Sequence, residues 1–315
     1  MSNIRLGIST CLLGEPVRYD GGHKRDRFIT DTLGAYVQFV PVCPEMECGL
    51  GTPRESMRLE GDPASPRLMT GRTKVDYTER MMVWARERLK DLEKETLCGF
   101  IFKSDSPSSG MERVRVYNDK GMAEKKGVGI FARMFMDHFP LLPVEDEGRL
   151  HDPKLRENFI ECIFALKRWR DLLRDRPDRG KLVAFHTKHK LLILSHSPKQ
   201  HRLMGNLVAE AKLMQPERLY QEYEPLFVAA LRVKTTVKKN ANVLHHMMGY
   251  FKKELAPAEK QELLEVIDGY RQGLIPLVVP ITLLKHYVRK YDQSYLKEQV
   301  YLNPHPVELK LRSHV

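Results

Sequence analysis

The chain has 315 residues, of which 42% are hydrophobic and 30% are charged, so it is long enough for two domains with substantial cores. No apolar run approaches the roughly 20 residues that a membrane-spanning helix needs. The N-terminal residues lack the layout of a signal peptide, so we expect a cytoplasmic protein with no membrane association. Five cysteines are too few for a disulfide framework in a chain of this size. We expect them to be buried thiols, metal ligands or a nucleophile.

The net charge of +11 is confined to the second half of the chain. Residues 1–150 contain 23 Lys and Arg against 23 Asp and Glu, whereas residues 151–315 contain 29 against 18. A neutral half followed by a basic half favours a polyanionic partner for the second, most often nucleic acid. A highly soluble helical domain without an anionic partner is the alternative.

The first half alternates between strand and helix patterns. Short apolar runs predict buried strands at 4–10, 36–42 and 97–103. Residues 76–95 predict an amphipathic helix, because the apolar positions follow helical spacing and charges fill the other face, and 127–139 predict another. This order favours the α/β class, with a Rossmann-like parallel sheet.

The second half shows successive amphipathic helices and no convincing strand. Pro- and Gly-containing segments separate these helices at 176–180, 195–200, 215–218, 256–260 and 276–280. The sequence therefore predicts an all-α C-terminal domain. We place the domain boundary so that residues 1–147 form the first domain and residues 148–315 form the second.

Each predicted strand ends in a loop of unusual composition. The loops read "CLLGEPVRYDGGHK" (11–24), "CPEMECGLGTPRES" (43–56) and "SDSPSSG" (104–110). Such loops gather at the carboxyl edge of an open parallel sheet, where ligands bind. Because Cys11 and Cys43 begin the first two loops, they can meet in space and suit a shared soft metal or an iron–sulfur cluster. Two buried structural thiols are the alternative, which suits Cys98 and Cys162 better.

These loops resemble the three motifs of the thiouracil desulfurases, the TudS family, and the resemblance spans about residues 4–143. It implies a [4Fe-4S] cluster with three protein ligands, at Cys11, Cys43 and position 109, and one open iron that takes the sulfur of a thiolated pyrimidine. It also implies that Glu45 activates water and that Ser106 is needed for catalysis. The remaining polar residues that we assign to the substrate pocket are Ser104, Ser108, Asp20 and Arg54. Ion pairing is the alternative for Asp20 and Arg54.

The third motif departs from the family pattern at one position. The family has Ser-Pro-Ser-Cys-Gly, whereas this chain has Ser109 where the third thiolate is expected. Serine is nearly isosteric with cysteine, but its alkoxide is a poorer ligand for iron than a thiolate. Three explanations stay open: an introduced Cys→Ser substitution, a natural variant that uses Cys48 or another group, and loss of the cluster.

The second half also resembles a known domain, through 185–209 and 242–255. It is similar to the YbgA-type helical domain often fused to these desulfurases, which implies removal of sulfur from 4-thiouridine in tRNA. Residues 231–255 predict one helix with an apolar stripe at Val237, Leu244 and Phe251 and cationic stripes opposite. The cations that we predict to contact RNA are Lys188, Lys190, Lys238, Lys239, Lys252, Lys253, Lys285 and Arg289. A solvated lysine face is the alternative.

Three functions follow from these patterns. The first is an iron–sulfur-dependent desulfidase acting on 4-thiouridine in tRNA, with tRNA as partner and no obligate protein partner. The second is the same chemistry on free thiouracil or thionucleosides. The third is a non-catalytic RNA-binding protein that has lost its cluster. Ser109, in place of a cysteine, is the residue that supports this third function.

Overall fold

The computed structural model describes residues 4–314 and divides into two compact units at Asp152–Pro153. The elements of the N-terminal unit are, in chain order, β1 (Ile4–Ser9), β2 (Val37–Val42), α1 (Pro44–Glu47), β3 (Met57–Glu60), β4 (Arg67–Thr70), α2 (Thr78–Lys94), β5 (Phe100–Phe102), β6 (Val114–Tyr117), β7 (Ala123–Gly127), α3 (Ile130–His138) and β8 (Val144–Asp146).

The first sheet is parallel, with the strand order β2-β1-β5-β8. Its central strands are apolar, and Leu6, Ile8 and Phe100 are fully buried, as expected for a sheet covered on both faces. The register pairs Ser9 with Val42, so the residues that follow β1 and β2 leave the sheet side by side. The predicted α/β fold with a parallel sheet is confirmed, and β8 is an addition to the three predicted strands.

Helix α3 packs against the end of β5 through aromatic rings. The Phe100 and Phe135 ring centroids lie 4.6 Å apart, and those of Phe102 and Phe135 lie 5.5 Å apart. Each of these rings is fully buried, which stabilises the fold by about 1.5–3 kcal/mol per side chain. The packing fixes the N-terminus of α3 beside the loop that follows β5.

A second sheet, with the order β4-β3-β6-β7, was not predicted from the sequence. Its strands are four or five residues long. One face carries Leu59, Leu68 and Val116 in an apolar cluster, whereas the opposite face is mostly polar, with Met69 as its buried apolar member. Because charged residues alternate with single apolar ones over so few positions, the period-2 pattern is too short to detect.

The C-terminal unit is helical. Its helices are α4 (Pro153–Leu173), α5 (Arg179–His196), α6 (Pro198–Ala209), α7 (Pro216–Leu231), α8 (Val237–Met248), α9 (Pro257–Arg271), α10 (Val278–Lys290) and α11 (Ser294–Lys297). Proline begins several of them, at a position where its missing N–H costs nothing. No strand is found between residues 153 and 314, which confirms the predicted all-α class.

The core of the C-terminal unit is aromatic and contains buried histidines. Trp169 stacks on Tyr223 with ring centroids 5.3 Å apart, and both are fully buried. His186 bonds the Tyr223 hydroxyl through Nδ1 at 3.1 Å, and His189 stacks on Phe185 with ring centroids 3.9 Å apart. Within the part of the chain that the structure describes, no helix is long and apolar enough to cross a membrane.

Candidate functional site

A cavity of about 340 Å³ lies at the carboxyl edge of the first sheet. It is formed where the loops after β1, β2 and β5 meet. The predicted site residues that line it are Cys11, Cys43, Glu45, Arg54, Ser104, Ser106 and Ser109. The structure therefore brings together residues that lie almost 100 positions apart in the sequence, because the strands that carry them are neighbours in the sheet.

The two thiols reach this cavity from short turns at the strand ends. Cys11 lies in a 3-10 turn, Thr10–Leu13, which ends at Gly14 with φ +100°. Cys43 immediately precedes α1, whose first residue is Pro44. Both cysteines are buried, with 9% and 8% of their surface exposed, so only a small part of each residue faces the cavity.

Burial makes both thiols weak acids. It raises the pKa of Cys11 to about 11 and that of Cys43 to about 12, and the negative charge of Glu45 adds to both shifts. The thiols therefore hold their protons at neutral pH in the absence of a cation. A metal that binds here must displace those protons, so its binding is pH-dependent.

The third loop is a network of serines. The Ser106 hydroxyl accepts a hydrogen bond from the backbone N–H of Ser109 at 3.1 Å and lies 3.0 Å from the Ser108 hydroxyl. Ser109 is 97% buried and lines the cavity. Helix α3 is hydrogen-bonded to this loop: the backbone N–H of Ala132 donates to the Ser108 carbonyl at 3.1 Å.

Glu45 joins the second and third loops. Its Oε1 accepts a hydrogen bond from the Ser108 hydroxyl at 2.5 Å. Its Oε2 lies 3.7 Å from Cys43 Sγ and 4.0 Å from Arg54 Nη2. One carboxylate oxygen is thus fixed by the loop, and the other lies beside a thiol and a guanidinium at the cavity wall. This geometry suits a carboxylate that moves protons.

Two residues that the sequence assigned to the substrate pocket do not line the cavity. Asp20 is exposed, accepts a hydrogen bond from the Gly22 backbone N–H at 3.0 Å and lies 3.5 Å from Arg18 Nε, so it closes a turn and does not line the cavity. Ser108 is fully buried and is absent from the cavity lining, so it acts on the site through its contacts with Glu45, Ser106 and Ser109. The pocket assignment was therefore wrong for Asp20, since its own turn satisfies its carboxylate.

Arg54 and Ser104 line the cavity but are also anchored to the scaffold. The Arg54 guanidinium donates to the carbonyls of Val17 at 3.1 Å and Gly51 at 2.7 Å, which fixes it between the first two loops. The Ser104 hydroxyl donates to Glu147 at 2.7 Å.

Sequence reasoning missed the ion pair between Lys103 and Glu147 at this edge. Lys103 lines the cavity, and its ammonium also contacts the Ser104 carbonyl and hydroxyl, each at 3.0 Å. The signal available in the sequence was its place directly after the apolar run of β5. Its partner lies in the undetected strand region around β8, 44 residues away.

Comparison with known proteins agrees with this division of the chain. The model of the 2-thiouracil desulfurase family matches residues 6–147, and the model of a family described as protein of unknown function (DUF1722) matches residues 190–306. The uncharacterized protein YbgA of Escherichia coli (strain K12) is 34% identical over 151 residues, which are 48% of this chain and 89% of YbgA. The chain belongs to the YbgA family, and it joins a 2-thiouracil desulfurase domain to a domain of the DUF1722 family.

Among solved structures, the chain is similar to a protein described as the [4Fe-4S]-dependent thiouracil desulfidase TudS. The identity is 29%, and the match covers 48% of this chain and 95% of TudS, with a TM-score of 0.40. The cavity described above lies within the 2-thiouracil desulfurase domain of this chain.

The donors in this desulfurase domain match a three-ligand iron site in two positions out of three. Cys11 and Cys43 offer thiols, the donors that iron–sulfur groups use, while Ser109 offers only a hydroxyl. Accordingly, residues 4–314 contain no group of three His, Cys, Asp or Glu that could hold a metal ion. The donors that the structure offers to an iron group are therefore two thiols, with a hydroxyl at the third expected position.

Cys48 does not replace the missing thiolate. It lies in the apolar cluster with Leu59 and Met81, and its thiol donates to the Glu45 carbonyl at 3.4 Å. It is absent from the lining of the cavity. The helical turn of α1 carries its side chain away from Cys43, so the alternative that used Cys48 as a ligand has no support in the structure.

The predicted cationic helix of the YbgA-like domain is shorter than the sequence indicated. The expected single helix over 231–255 is wrong, because α7 ends at Leu231 and α8 begins at Val237, after Thr236 caps it with its hydroxyl. A 3-10 turn, Gly249–Phe251, then ends the helix. Leu244 and Phe251 are fully buried as expected, whereas Val237 is 38% exposed in the first helical turn.

The eight predicted RNA contacts differ in how available they are. Lys238, Lys252, Lys253 and Arg289 are exposed, although Lys252 and Lys253 lie beyond α8 rather than on its face. The Lys239 ammonium is used within the fold, because it donates to the carbonyls of His196 at 2.7 Å and Lys234 at 2.8 Å. Phosphate contact by Lys239 is therefore the weakest of these assignments.

The remaining three cations have neighbours of their own. The Lys188 ammonium lies 3.5 Å from Glu298, and that of Lys190 lies 5.0 Å from the ring centroid of Tyr295. Burial lowers the pKa of Lys285. Exposed ion pairs of this kind contribute little and exchange readily for other partners, so Lys188 stays compatible with an anionic ligand.

Proposed function

We propose that this chain is an iron–sulfur-dependent desulfidase that converts 4-thiouridine in tRNA to uridine, with release of sulfide. The observation that carries the proposal is the cavity in the 2-thiouracil desulfurase domain, where two thiols, a carboxylate and serine hydroxyls meet. Residues 151–315 contain 29 Lys and Arg but only 18 Asp and Glu, and this excess of basic residues supports a polyanionic substrate.

Cys11, Cys43 and Ser109 would hold the iron–sulfur group, since they are the soft or isosteric donors at the cavity wall. When bound, such a group supplies a Lewis-acidic iron that polarises a carbon–sulfur bond. Because Ser109 is a weaker ligand than a thiolate, this chain is expected to hold the group less tightly than its Ser109→Cys form.

The overall reaction exchanges sulfur for oxygen. A thiocarbonyl carbon reacts with one water molecule, the carbon–sulfur bond breaks, and hydrogen sulfide leaves. Glu45 would take a proton from that water at Oε2; this role is supported by the hydrogen bond from Ser108 to Oε1, which leaves Oε2 beside Arg54. It can return the proton to the departing sulfur. General acid–base help of this kind typically contributes about 10²- to 10⁴-fold in rate.

Ser106 is proposed to orient the substrate or leaving group. It lines the cavity, and its hydroxyl is already part of the network with Ser108 and Ser109. Ser104 and Lys103 have a different role, because their polar groups are bound to Glu147 and fix the end of β5.

A second candidate function is desulfidation of free thiouracil or thionucleosides. The observation that favours it is that all the proposed catalytic residues lie within the desulfurase domain. A third, RNA binding without catalysis, is favoured by the hydroxyl at position 109.

Sulfide release by the anaerobically reconstituted Ser109→Cys protein separates these functions. We expect kcat/KM on thiolated tRNA to exceed that on free 4-thiouracil by about tenfold or more at low salt, because phosphate contacts add affinity. Equal or faster turnover of the free base would favour the second function. An iron-loaded protein that releases sulfide from neither substrate would favour the third.

A further inference from the structure

A second cavity of about 300 Å³ adjoins the first in the desulfurase domain. Both cavities are lined by Met57, Asp105 and Pro107, so they share a wall and a rim. The residues found only in the lining of the second are Arg58, Val114, Arg115 and Tyr117. No part of the candidate catalytic machinery lines this second cavity.

Arg58, Arg115 and Tyr117 reach the second cavity from the polar side of the second sheet. The register pairs Leu59 with Val116, and these two side chains point into the core, so Arg58 and Arg115, one position earlier, share the opposite face. Arg115 in turn pairs with Lys125 on β7. Three cations therefore form a row across β3, β6 and β7, and we call Arg58, Arg115 and Lys125 the cationic row.

The first cation of the row is preorganised. The Arg58 guanidinium lies over the Tyr117 ring, 4.5 Å from its centroid, and its Nε donates to Glu60 at 2.6 Å. Glu60 also accepts from Lys74 at 2.6 Å, so this one carboxylate serves two cations. The stacked guanidinium keeps further N–H groups available in a fixed plane, which suits a phosphate.

Arg115 and Lys125 are exposed and have no ion pair among the described residues. The row thus carries more positive charge than its neighbouring carboxylate can balance. Two of its members, Arg58 and Arg115, line the second cavity, which shares a wall with the cavity assigned to the base. Asp105, which is exposed and lines both cavities, is the one acidic residue in the lining of the second cavity. A carboxylate between a base pocket and a cationic surface suits a hydrogen bond from a ribose hydroxyl.

We propose that the second cavity is a nucleotide phosphate subsite for a uridine unit whose base occupies the first cavity. Arg58 and Arg115 bind the phosphate, and Asp105 accepts a hydrogen bond from the ribose. The inference rests on the proposed function, since it assumes that a uracil base enters the first cavity. It assigns part of RNA recognition to the N-terminal unit, whose net charge is zero over residues 1–150.

The test is binding of uridine 5′-monophosphate and uridine to the full chain as it stands, by calorimetry, with no iron–sulfur group and no turnover needed. We expect the monophosphate to bind at least about tenfold more tightly than uridine, as charge-assisted hydrogen bonds to phosphate predict. The double variant Arg58→Ala with Arg115→Ala should remove this difference. Lys90→Ala, which deletes an exposed cation on α2, should preserve it.

Three further arms complete the test. A labelled oligouridylate should lose affinity in the double variant if the phosphate belongs to an RNA strand, whereas loss for the mononucleotide alone would assign the subsite to free nucleotides. Arg115→Ala alone should give a partial loss, which guards against misfolding of the double variant. Asp105→Asn, compatible with the φ of +57° at this position, should reduce the preference for uridine over deoxyuridine monophosphate.

Equal affinity of the folded wild-type protein for uridine and its monophosphate would overturn the proposal, as would a double variant indistinguishable from Lys90→Ala. An unchanged ribose preference in Asp105→Asn would overturn the role of Asp105. These results are independent of catalysis, because a desulfidase that acts only on free bases would still release sulfide while failing the binding test.

Discussion

At the scale of single residues, Glu45 is the main candidate for acid–base chemistry. It receives the Ser108 hydroxyl and lies 3.7 Å from Cys43 Sγ, so it links two loops and one thiol. We expect Glu45→Gln, in the Ser109→Cys background, to keep its iron and to lose at least about 100-fold in sulfide release, because an amide cannot act as the base.

The matched control for Glu45 is Glu79→Gln, on the exposed surface of α2, which should keep full turnover and iron content. Loss of iron in Glu45→Gln, measured by metal analysis, would show that the carboxylate is a ligand or a scaffold group instead. Retention of both iron and turnover would remove Glu45 from the mechanism.

The sequence predicted the residues at the strand ends better than those between them. Cys11, Cys43 and Glu45 follow apolar strands, and adjacent parallel strands must bring such positions together. The ion-pair alternative for Asp20 is the one that the structure shows, with Arg18 as its partner. The role of Ser108 could not be predicted in this way, because its partner Glu45 lies 63 residues away and the contact leaves no periodic pattern.

At the scale of elements, helix α3 sets the position of the third loop. Its N-terminal Gly129 packs so closely on this loop that an added Cβ would lie 2.5 Å from the Ser108 carbonyl carbon and oxygen. We expect Gly129→Ala to displace the serine loop, to lower stability by about 1–3 kcal/mol and to reduce iron binding in the Ser109→Cys background.

Gly205→Ala is the control for this prediction, because nothing lies within 4 Å of its added Cβ. It lies in α6 and should leave stability unchanged or slightly raised, since alanine favours helix. Denaturant unfolding and metal analysis check both variants. Unchanged stability and iron binding in Gly129→Ala would show that the loop does not depend on α3.

The buried histidines of α5 make the helical unit sensitive to acid. Burial lowers the pKa of His186 to about 4 and that of His189 to about 3, from an ordinary value near 6.5. At pH values from about 6.5 down to about 4, these histidines are therefore protonated in the unfolded state but still neutral in the folded state. Stability is complete above pH 6.5 and falls as the pH drops, by about 1.4 kcal/mol per pH unit for each histidine.

Hydrogen exchange of the α5 amides between pH 7 and pH 5, corrected for intrinsic rates, measures this loss. His189→Phe should remove roughly half of the acid dependence, whereas the exposed His245→Gln should leave it unchanged. Stability of α5 that is constant over this range, or that rises toward acid, would contradict the assignment of neutral buried histidines.

The elements that the sequence missed share a physical cause. Strands β1 and β2 are six residues long and mostly apolar, which distinguishes them from helix and loop. Strand β8 has only three residues, two of them acidic, and β7 has four exposed residues out of five. The conformation of β8 is imposed by pairing with the distant β5 and that of β7 by its hairpin with β6, and an apolar pattern within either strand records neither pairing.

At the scale of the whole molecule, the charge asymmetry predicts strongly salt-dependent RNA binding. If Lys238, Lys252, Lys253 and Arg289 each contact a phosphate, replacing all four with alanine should weaken tRNA binding and reduce the slope of log affinity against log salt by about 3–4. Filter binding or anisotropy from 50 to 300 mM salt measures this slope. A wild-type affinity that does not change with salt would discredit the phosphate contacts.

The control for this variant replaces Lys90 and Lys94 on α2, which are ion-paired with Glu87 and Asp91. These substitutions remove positive charge from the desulfurase domain away from its cavities, and the salt dependence of tRNA binding should be unchanged. An equal loss in the control would indicate a response to net charge alone rather than to particular contacts.

The central claim is that Cys11, Cys43 and position 109 form one iron–sulfur site, and the iron and sulfide content of the anaerobically reconstituted protein tests it most directly. We predict one cluster per chain in Ser109→Cys, substantially less in the chain with Ser109, and almost none when Cys43→Ala is added to Ser109→Cys. Failure of Ser109→Cys to take up iron, or uptake that Cys43→Ala does not change, would contradict the account.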